Sequence, residues 1–303
     1  MSNTSTTLPN TILRAEHLRK SFGDVTALND INLALESGRI RGFIGANGAG
    51  KTTTMRIIMG VLSSDGGQVT FNSQPITSDD QRSIGYMPEE RGLYPKMKVA
   101  EQVTYFGQLA GMTHAEAKES AEQLLQQLDL THRAKDSVQD LSLGNQQRVQ
   151  LAVSLVASPD VLILDEPFSG LDPIAVDVMS KALTERAHQG VAVLFSSHQL
   201  DLVERICDSV TIVSGGKIIA DGTVEELKNR EESPLRLRVS GADDLTSTLQ
   251  ATSTSVTFDG TDYLLFGADD AAVLDIARQA GRVTHFAYDQ RSIADIFHET
   301  VKQ

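Results

Sequence analysis

The sequence has no tryptophan, a single cysteine and few basic side chains for its size. One cysteine, Cys207, forms no internal disulfide, so the chain fits a reducing compartment and leans on its core rather than on cross-links. Cys207 itself reads as a small buried hydrophobe. No apolar run approaches the roughly 18 residues that a membrane span needs; the longest are segments such as Val191–Phe195. Lysine and arginine number 27 against 40 acidic residues, a formal charge of −13. That deficit disfavours a nucleic-acid partner, because neutralising phosphates takes clustered basic residues. The acidic surplus is shared between Met1–Arg230 and Glu231–Gln303, so neither part is an acidic tail. The polar stretch Met1–Asn10 has neither the charged start nor the apolar centre of a secretory signal.

What is present is a length of 303 residues, a prior of about two domains, and a hydrophobic share of 40% that can fill them. Ile12–Leu35 reads as two strands around a turn at Gly23-Asp24, and Ile40–Ile44 as a short strand. A glycine-rich loop and the helix Thr52–Met59 follow, then a strand at Ile84–Met87. Met97–Leu130 is helix-rich, with Leu124, Leu125 and Leu128 on its buried face. Val149, Ala152, Val153 and Val156 recur at helical spacing, and Pro159 ends that helix. Val161–Leu164 and Val191–Phe195 are unbroken apolar runs of the kind found in strands covered on both faces. Strands alternating with helices predict an α/β architecture with a helical insertion at about 90–160.

The character changes after Arg230. Leu235, Leu237 and Val239 alternate as in a half-buried strand, and Ala242–Gln250 reads as a helix. Val256 and Phe258 precede a hairpin signal at Asp259-Gly260, with Tyr263–Phe266 as the return strand. A helix at Asp269–Ala280 has its core residues at Val273, Leu274 and Ala277; Val283–Tyr288 and Ser292–Val301 close the series as strand and helix. The order β-α-β-β-α-β predicts a small ferredoxin-like α+β domain over 235–303, behind a polar tail at 1–11 and a main domain at 12–230.

Gly45-Ala46-Asn47-Gly48-Ala49-Gly50-Lys51-Thr52 matches the phosphate-loop pattern in full, after a strand and before a helix. The glycines let backbone N–H groups turn inward, and the helix start adds partial positive charge. Gly45, Asn47, Gly48, Gly50, Lys51, Thr52 and Thr53 are therefore candidates to hold nucleotide. Lys51 would reach the outer phosphates and Thr52 a Mg²⁺ ion. Val161–Leu164 delivers Asp165 and Glu166 at a strand end, where Asp165 can orient the Mg²⁺ shell and Glu166 can act as base toward water. These motifs predict a P-loop ATPase or GTPase, and no Asn-Lys-x-Asp guanine-reading pattern is present.

Leu141-Ser142-Leu143-Gly144-Asn145-Gln146-Gln147 then narrows the kind. With it, the sequence from Ile12 to about Arg230 resembles the nucleotide-binding subunit of ABC transporters, whose signature is L-S-G-G-Q. The resemblance implies that Phe22 stacks on adenine and that Ser142 and Gly144 contact the γ-phosphate held by a second subunit. Asp172, in Ser169-Gly170-Leu171-Asp172, would link the two sites, and His198 would contact the γ-phosphate and back Glu166. Glu89 stands where the family carries a glutamine, and the resemblance makes it a catalytic and metal-site candidate: a carboxylate there can still reach Mg²⁺ or water, but it is charged. Leu143 and Asn145 also depart from the signature; backbone contacts from Gly144 do not need those side chains. Gly85–Pro95 and the Gly-Asn-Gln-Gln signature resemble a bacterial export subfamily of sodium-extrusion and drug-resistance ATPases, whose members often carry a C-terminal extension. That resemblance implies ATP and Mg²⁺ as cofactors, and a second copy or a paralogous ATPase subunit as partner. It implies an integral-membrane permease, met through Arg91–Lys98, at the cytoplasmic face of the inner membrane. The rival is a soluble ABC ATPase acting on protein partners alone. A single cassette without a coiled-coil insertion argues against the translation-factor and chromosome-maintenance branches.

Overall fold

The computed structural model describes residues 11–90, 92–228, 234–242, 244–288 and 292–301. Residues Met1–Asn10 of the expected tail at 1–11, the linker residues Arg230–Ser233, and Arg91 at the start of the expected permease-facing stretch lie outside the described residues; Thr11, assigned to that tail, instead begins a strand.

The described chain opens on a hairpin, β1 (Thr11–Phe22) and β2 (Val25–Glu36), turning at Gly23 with φ 57°. Then come β3 (Ile40–Gly45), α1 (Lys51–Ile58), β4 (Gly66–Phe71), β5 (Gln74–Pro75), α2 (Ser78–Arg82) and β6 (Ile84–Met87). A helical region follows with α3 (Val99–Leu109), α4 (His114–Gln127) and α5 (Leu143–Leu155). The chain returns through β7 (Val161–Leu164), α6 (Pro173–His188), β8 (Ala192–Ser197), α7 (Leu200–Ile206), β9 (Ser209–Ser214), β10 (Lys217–Thr223) and α8 (Val224–Lys228).

Two sheets result. One is antiparallel in the order β2-β1-β4-β5; the other runs β10-β9-β3-β8-β7-β6 and is parallel except for β10. All four residues of β7 are fully buried, as its unbroken apolar run requires. Each such side chain contributes roughly 1.5–3 kcal/mol of burial, enough to pin the strand that carries the acids. The register sets Ile44 beside Ser197 and Leu164 beside Phe195. The C-terminal ends of β3, β7 and β8 therefore lie side by side, the edge at which α/β sheets bind ligands.

β4, β5 and the β9–β10 hairpin lie outside the strands expected from the sequence. In β9 the apolar run is broken by Thr211, which is fully buried because Arg41 and Asp221 satisfy its hydroxyl. The helical region packs on Val103, Ala121, Leu124, Leu125, Val149 and Leu155. Gly107 lets α3 approach α4: a Cβ there would stand 2.8 Å from that of Ala117.

The chain divides into two compact units between Val224 and Glu225. The second contains β11 (Leu235–Ser240), α9 (Thr246–Leu249), β12 (Ser255–Phe258), β13 (Tyr263–Phe266), α10 (Asp270–Ala280), β14 (Arg282–Tyr288) and α11 (Ile293–Val301). Its sheet is antiparallel, in the order β12-β13-β11-β14. Leu235, Leu237, Leu249, Tyr263, Leu265, Val273 and Ala277 form its core. Two features of this unit differ from expectation. The helix over Ala242–Gln250 shrinks to Thr246–Leu249, because the Asp244 carboxylate captures the backbone N–H and hydroxyl of Thr246 as a turn and the Tyr263 hydroxyl takes the N–H of Leu245. Leu274 is only half-buried; Val273 and Ala277, one turn apart, supply the core face of α10.

Candidate functional site

The phosphate loop leaves β3 at Gly45, where a side chain has no room: a Cβ would stand 2.5 Å from the Val213 carbonyl oxygen. Gly50 has φ 107°, a left-handed conformation that glycine adopts without strain, and it precedes the first residue of α1. No side chain caps that helix and no acidic residue sits in its first turn, so its leading N–H groups meet no side-chain acceptor, the condition under which a helix start takes an anion. Asn47 and Gly48 are exposed at the loop's tip, while Thr52 and Thr53 are half-buried in the first turn. Lys51 is buried, and its ammonium donates to the Gly45 carbonyl at 2.7 Å.

The acids stand beside it. Asp165, 1% exposed, accepts a hydrogen bond on Oδ1 from the Ser196 hydroxyl at 2.7 Å; its Oδ2 is buried with no hydrogen-bond partner among the described residues. Glu166 is also buried and has φ 50°, a left-handed geometry that costs a non-glycine residue roughly 1–2 kcal/mol. Its Oε2 lies 2.9 Å from His198 Nδ1, and its Oε1 lies 3.8 Å from Lys51 Nζ. His198 is largely exposed, so the pair joins a buried carboxylate to an open ring. Tyr86, on β6, is also near: burial first, then the charge of Asp165, raises its hydroxyl above the usual tyrosine range and keeps it neutral.

The structure thus gathers Lys51, Asp165, Glu166 and His198. For Glu89, Phe22, Ser142, Gly144 and Asp172 the structure shows other contacts. Glu89 is exposed, and the loop that carries it is held by Gln150 of α5, whose Nε2 donates to the Pro88 carbonyl at 2.7 Å. Phe22 is half exposed at the end of β1, with the Lys20 ammonium 5.6 Å from its ring centroid. Ser142 caps α5, accepting from Asn145 N at 3.4 Å. Gly144 packs near Leu171 and Ala175. Asp172 caps α6, accepting from Ala175 N at 2.8 Å ahead of Pro173. The tie between Asn145 and Arg148 keeps the departing signature residue inside its own helix.

The polar groups suit a nucleotide with a divalent cation. A hard ion such as Mg²⁺ takes oxygen ligands, commonly one or two carboxylates plus substrate phosphates and water. The unpartnered Asp165 Oδ2 and the half-buried Thr52 offer that donor set. Among the described residues no three His, Cys, Asp or Glu side chains cluster as a self-sufficient metal cage, so phosphate oxygens would complete the shell.

Ser196 and Gln150 emerged only from the structure. The available hint for Ser196 was a hydroxyl at the end of an apolar strand; for Gln150, an amide on the buried face of a helix.

The family described as ABC transporter matches residues 28–169. An ABC transporter ATP-binding protein of Bacillus subtilis, YhaQ, is 36% identical over 96% of this chain and 98% of its own. The linearmycin resistance ATP-binding protein LnrL of the same organism is 34% identical over 77% of this chain and 76% of its own. Among solved structures, the ADP conformation of MJ1267, an ATP-binding cassette of an ABC transporter, superposes with a TM-score of 0.64 at 27% identity, covering 71% of this chain and 92% of that one.

Proposed function

The chain belongs to the ABC transporter ATP-binding family and is an ATPase subunit; from that premise we propose that it powers a membrane permease of an export system, as one of two ATPase subunits. The observation that carries the chemical part is the contact set around Glu166, with His198 at 2.9 Å, Lys51 at 3.8 Å and Asp165 adjacent in sequence. Thr52 and Asp165 are the residues that would hold Mg²⁺, which when bound offsets phosphate charge. Lys51 and the first-turn N–H groups of α1 bind the phosphates, Phe22 stacks on the base, and Glu166 takes a proton from the attacking water while His198 orients it.

Two such chains, copies or paralogues, would sandwich two ATP molecules. Each site would combine Lys51, Thr52 and Asp165 of one subunit with Ser142 and Gly144 of the other, and Asp172 would relay between the sites. The γ-phosphate is then a ligand common to both subunits, so its loss on hydrolysis releases the closure. Glu89 would face the same water from the loop behind β6. The permease would hold the chain at the cytoplasmic face of the inner membrane; among the described residues no helix is long and apolar enough to cross it. The name of the linearmycin-resistance relative supports a drug-resistance place in that export branch, and residues 235–303 would be its C-terminal extension, a reading supported by the match to YhaQ over nearly the whole of both chains.

Detergent purification of the tagged chain, co-expressed with the permease encoded beside its gene, tests the reading. A retained polytopic membrane protein that raises ATP turnover is the expected result. A chain that hydrolyses ATP but retains only soluble proteins overturns the export reading.

A further inference from the structure

β8 ends in two serines with different duties. The Ser197 hydroxyl accepts from the backbone of Gln199, two residues on. The Ser196 hydroxyl, fully buried, turns toward β7. It donates to Asp165 Oδ1 at 2.7 Å and accepts from the backbone N–H of Glu166 at 2.8 Å. A serine hydroxyl has one proton and two lone pairs, so it can make both bonds at once.

We propose that Ser196 is a positioning residue for both acids, aiming Asp165 at the divalent cation and fixing the backbone of Glu166 for its work as base. The inference rests on the reading of Asp165 as metal ligand and Glu166 as base. With Oδ1 engaged, the Asp165 carboxylate cannot rotate freely, and Oδ2 is the oxygen left without a hydrogen bond. The bond to the Glu166 N–H anchors that residue in its left-handed conformation, from which its carboxylate reaches His198. One hydroxyl therefore couples the metal ligand to the base, across 31 and 30 residues of sequence respectively. The parallel register that sets Leu164 beside Phe195 brings the three residues level.

The test compares Ser196→Ala with Ser196→Thr, which keeps the hydroxyl on a β-branched side chain suited to a strand. Mn²⁺ binding to the ADP-loaded full-length protein, read by electron paramagnetic resonance, is the primary measurement. Groups that orient metal ligands typically account for about 10–100-fold in metal affinity or activity. Ser196→Ala should weaken Mn²⁺ binding and lower kcat within that range, leave ADP affinity in EDTA unchanged, and be restored by Ser196→Thr. A folded Ser196→Ala protein with wild-type Mn²⁺ affinity overturns the proposal, as does an equal loss in the threonine variant. Should Ser196→Ala fail to fold, Ser196→Cys fills the site with a weaker donor and should show the same Mn²⁺ loss; wild-type binding in it overturns the proposal too. Asp165→Asn separates the two levels: if it leaves Mn²⁺ affinity intact, the metal-site reading itself fails, whereas a loss there with none in Ser196→Ala removes only the role of Ser196.

Discussion

His198 Nδ1 lies 2.9 Å from Glu166 Oε2, joining the end of β8 to the end of β7. The imidazole holds a carboxylate that is itself buried and strained in its backbone. Glu166→Gln keeps the length and hydrogen-bonding capacity of that side chain but removes the carboxylate proposed as base. ATP binding should survive and turnover should fall by about 10²–10⁴, the usual worth of a positioned base. The variant should accumulate an ATP-bound dimer on size exclusion. Near-normal hydrolysis would remove Glu166 from its role.

Lys51 bonds its own loop at Gly45 and leans toward Glu166, so one ammonium serves the carbonyl and the acid until phosphate competes for it. Lys51→Ala removes the ammonium of the gathered cluster. ATP affinity should drop, and kcat should fall on the order of 10²–10³, as when a buried oxyanion donor is deleted. A nucleotide titration that matches wild type would refute this use of the loop.

Much of this site is legible in contiguous motifs, and the reason is mechanical. A phosphate loop must have its glycines, lysine and threonine in one run because one turn of backbone makes the cradle. Asp165 and Glu166 are legible because a fully apolar strand delivers them. The Ser196 and Gln150 contacts are not, since they join residues 30 to 62 positions apart and depend on sheet register and helix packing. The β9–β10 hairpin was hidden for a similar reason: a buried Thr211 looks polar until Arg41 and Asp221 are seen around it.

The signature departure at Leu143 carries a local consequence. Gly170 has φ 72°, and a Cβ on it would stand 3.0 Å from Leu143 Cδ2. Gly170→Ala should destabilise the protein by roughly 1–2 kcal/mol from backbone geometry alone, with crowding against Leu143 added. Pairing it with Leu143→Gly should recover the crowding part and leave the backbone part, which thermal melts of the two single variants and the double variant would separate. Strict additivity would show that the two residues do not touch.

Residues 235–303 carry no phosphate-contacting motif. Truncation after Arg230 should leave ATP binding intact, since Lys51, Thr52, Asp165 and Ser142 all remain. If this region supports dimerisation, the nucleotide-free truncated chain should show less dimer by analytical ultracentrifugation. Equal dimer fractions would exclude that support. Loss of ATP binding in a folded truncated chain would show that the two units are not independent.

In the second unit, Asp262 is buried and accepts hydrogen bonds from Arg238 Nη2 and Arg236 Nη1, both at 2.9 Å. The Arg238 hydrogen bonds, set against burial and joined by Arg236, hold its carboxyl down at about 2. An unfolded aspartate titrates near 3.9. The folded value is the lower one, so the ionised Asp262 stabilises the fold fully above about pH 4, and that contribution is lost as pH falls from there through about 2. Asp262→Asn should therefore cost stability at neutral pH, about 1–2 kcal/mol once the partial exposure of both arginines is allowed for, and should flatten the acid limb. Asp65, Asp80, Asp244 and Asp259 are depressed as well, so a global melt mixes several titrations. Asp244 and Asp259 lie beside β13 and titrate in both proteins, so the difference in hydrogen exchange at β11 and β13 between wild type and variant isolates Asp262: wild-type protection there should decline between about pH 4 and pH 2, beyond the intrinsic change in exchange rate, while the variant's protection starts lower and changes less. Parallel pH profiles in the two proteins would show that the Asp262 charge is not what holds β11 to β13.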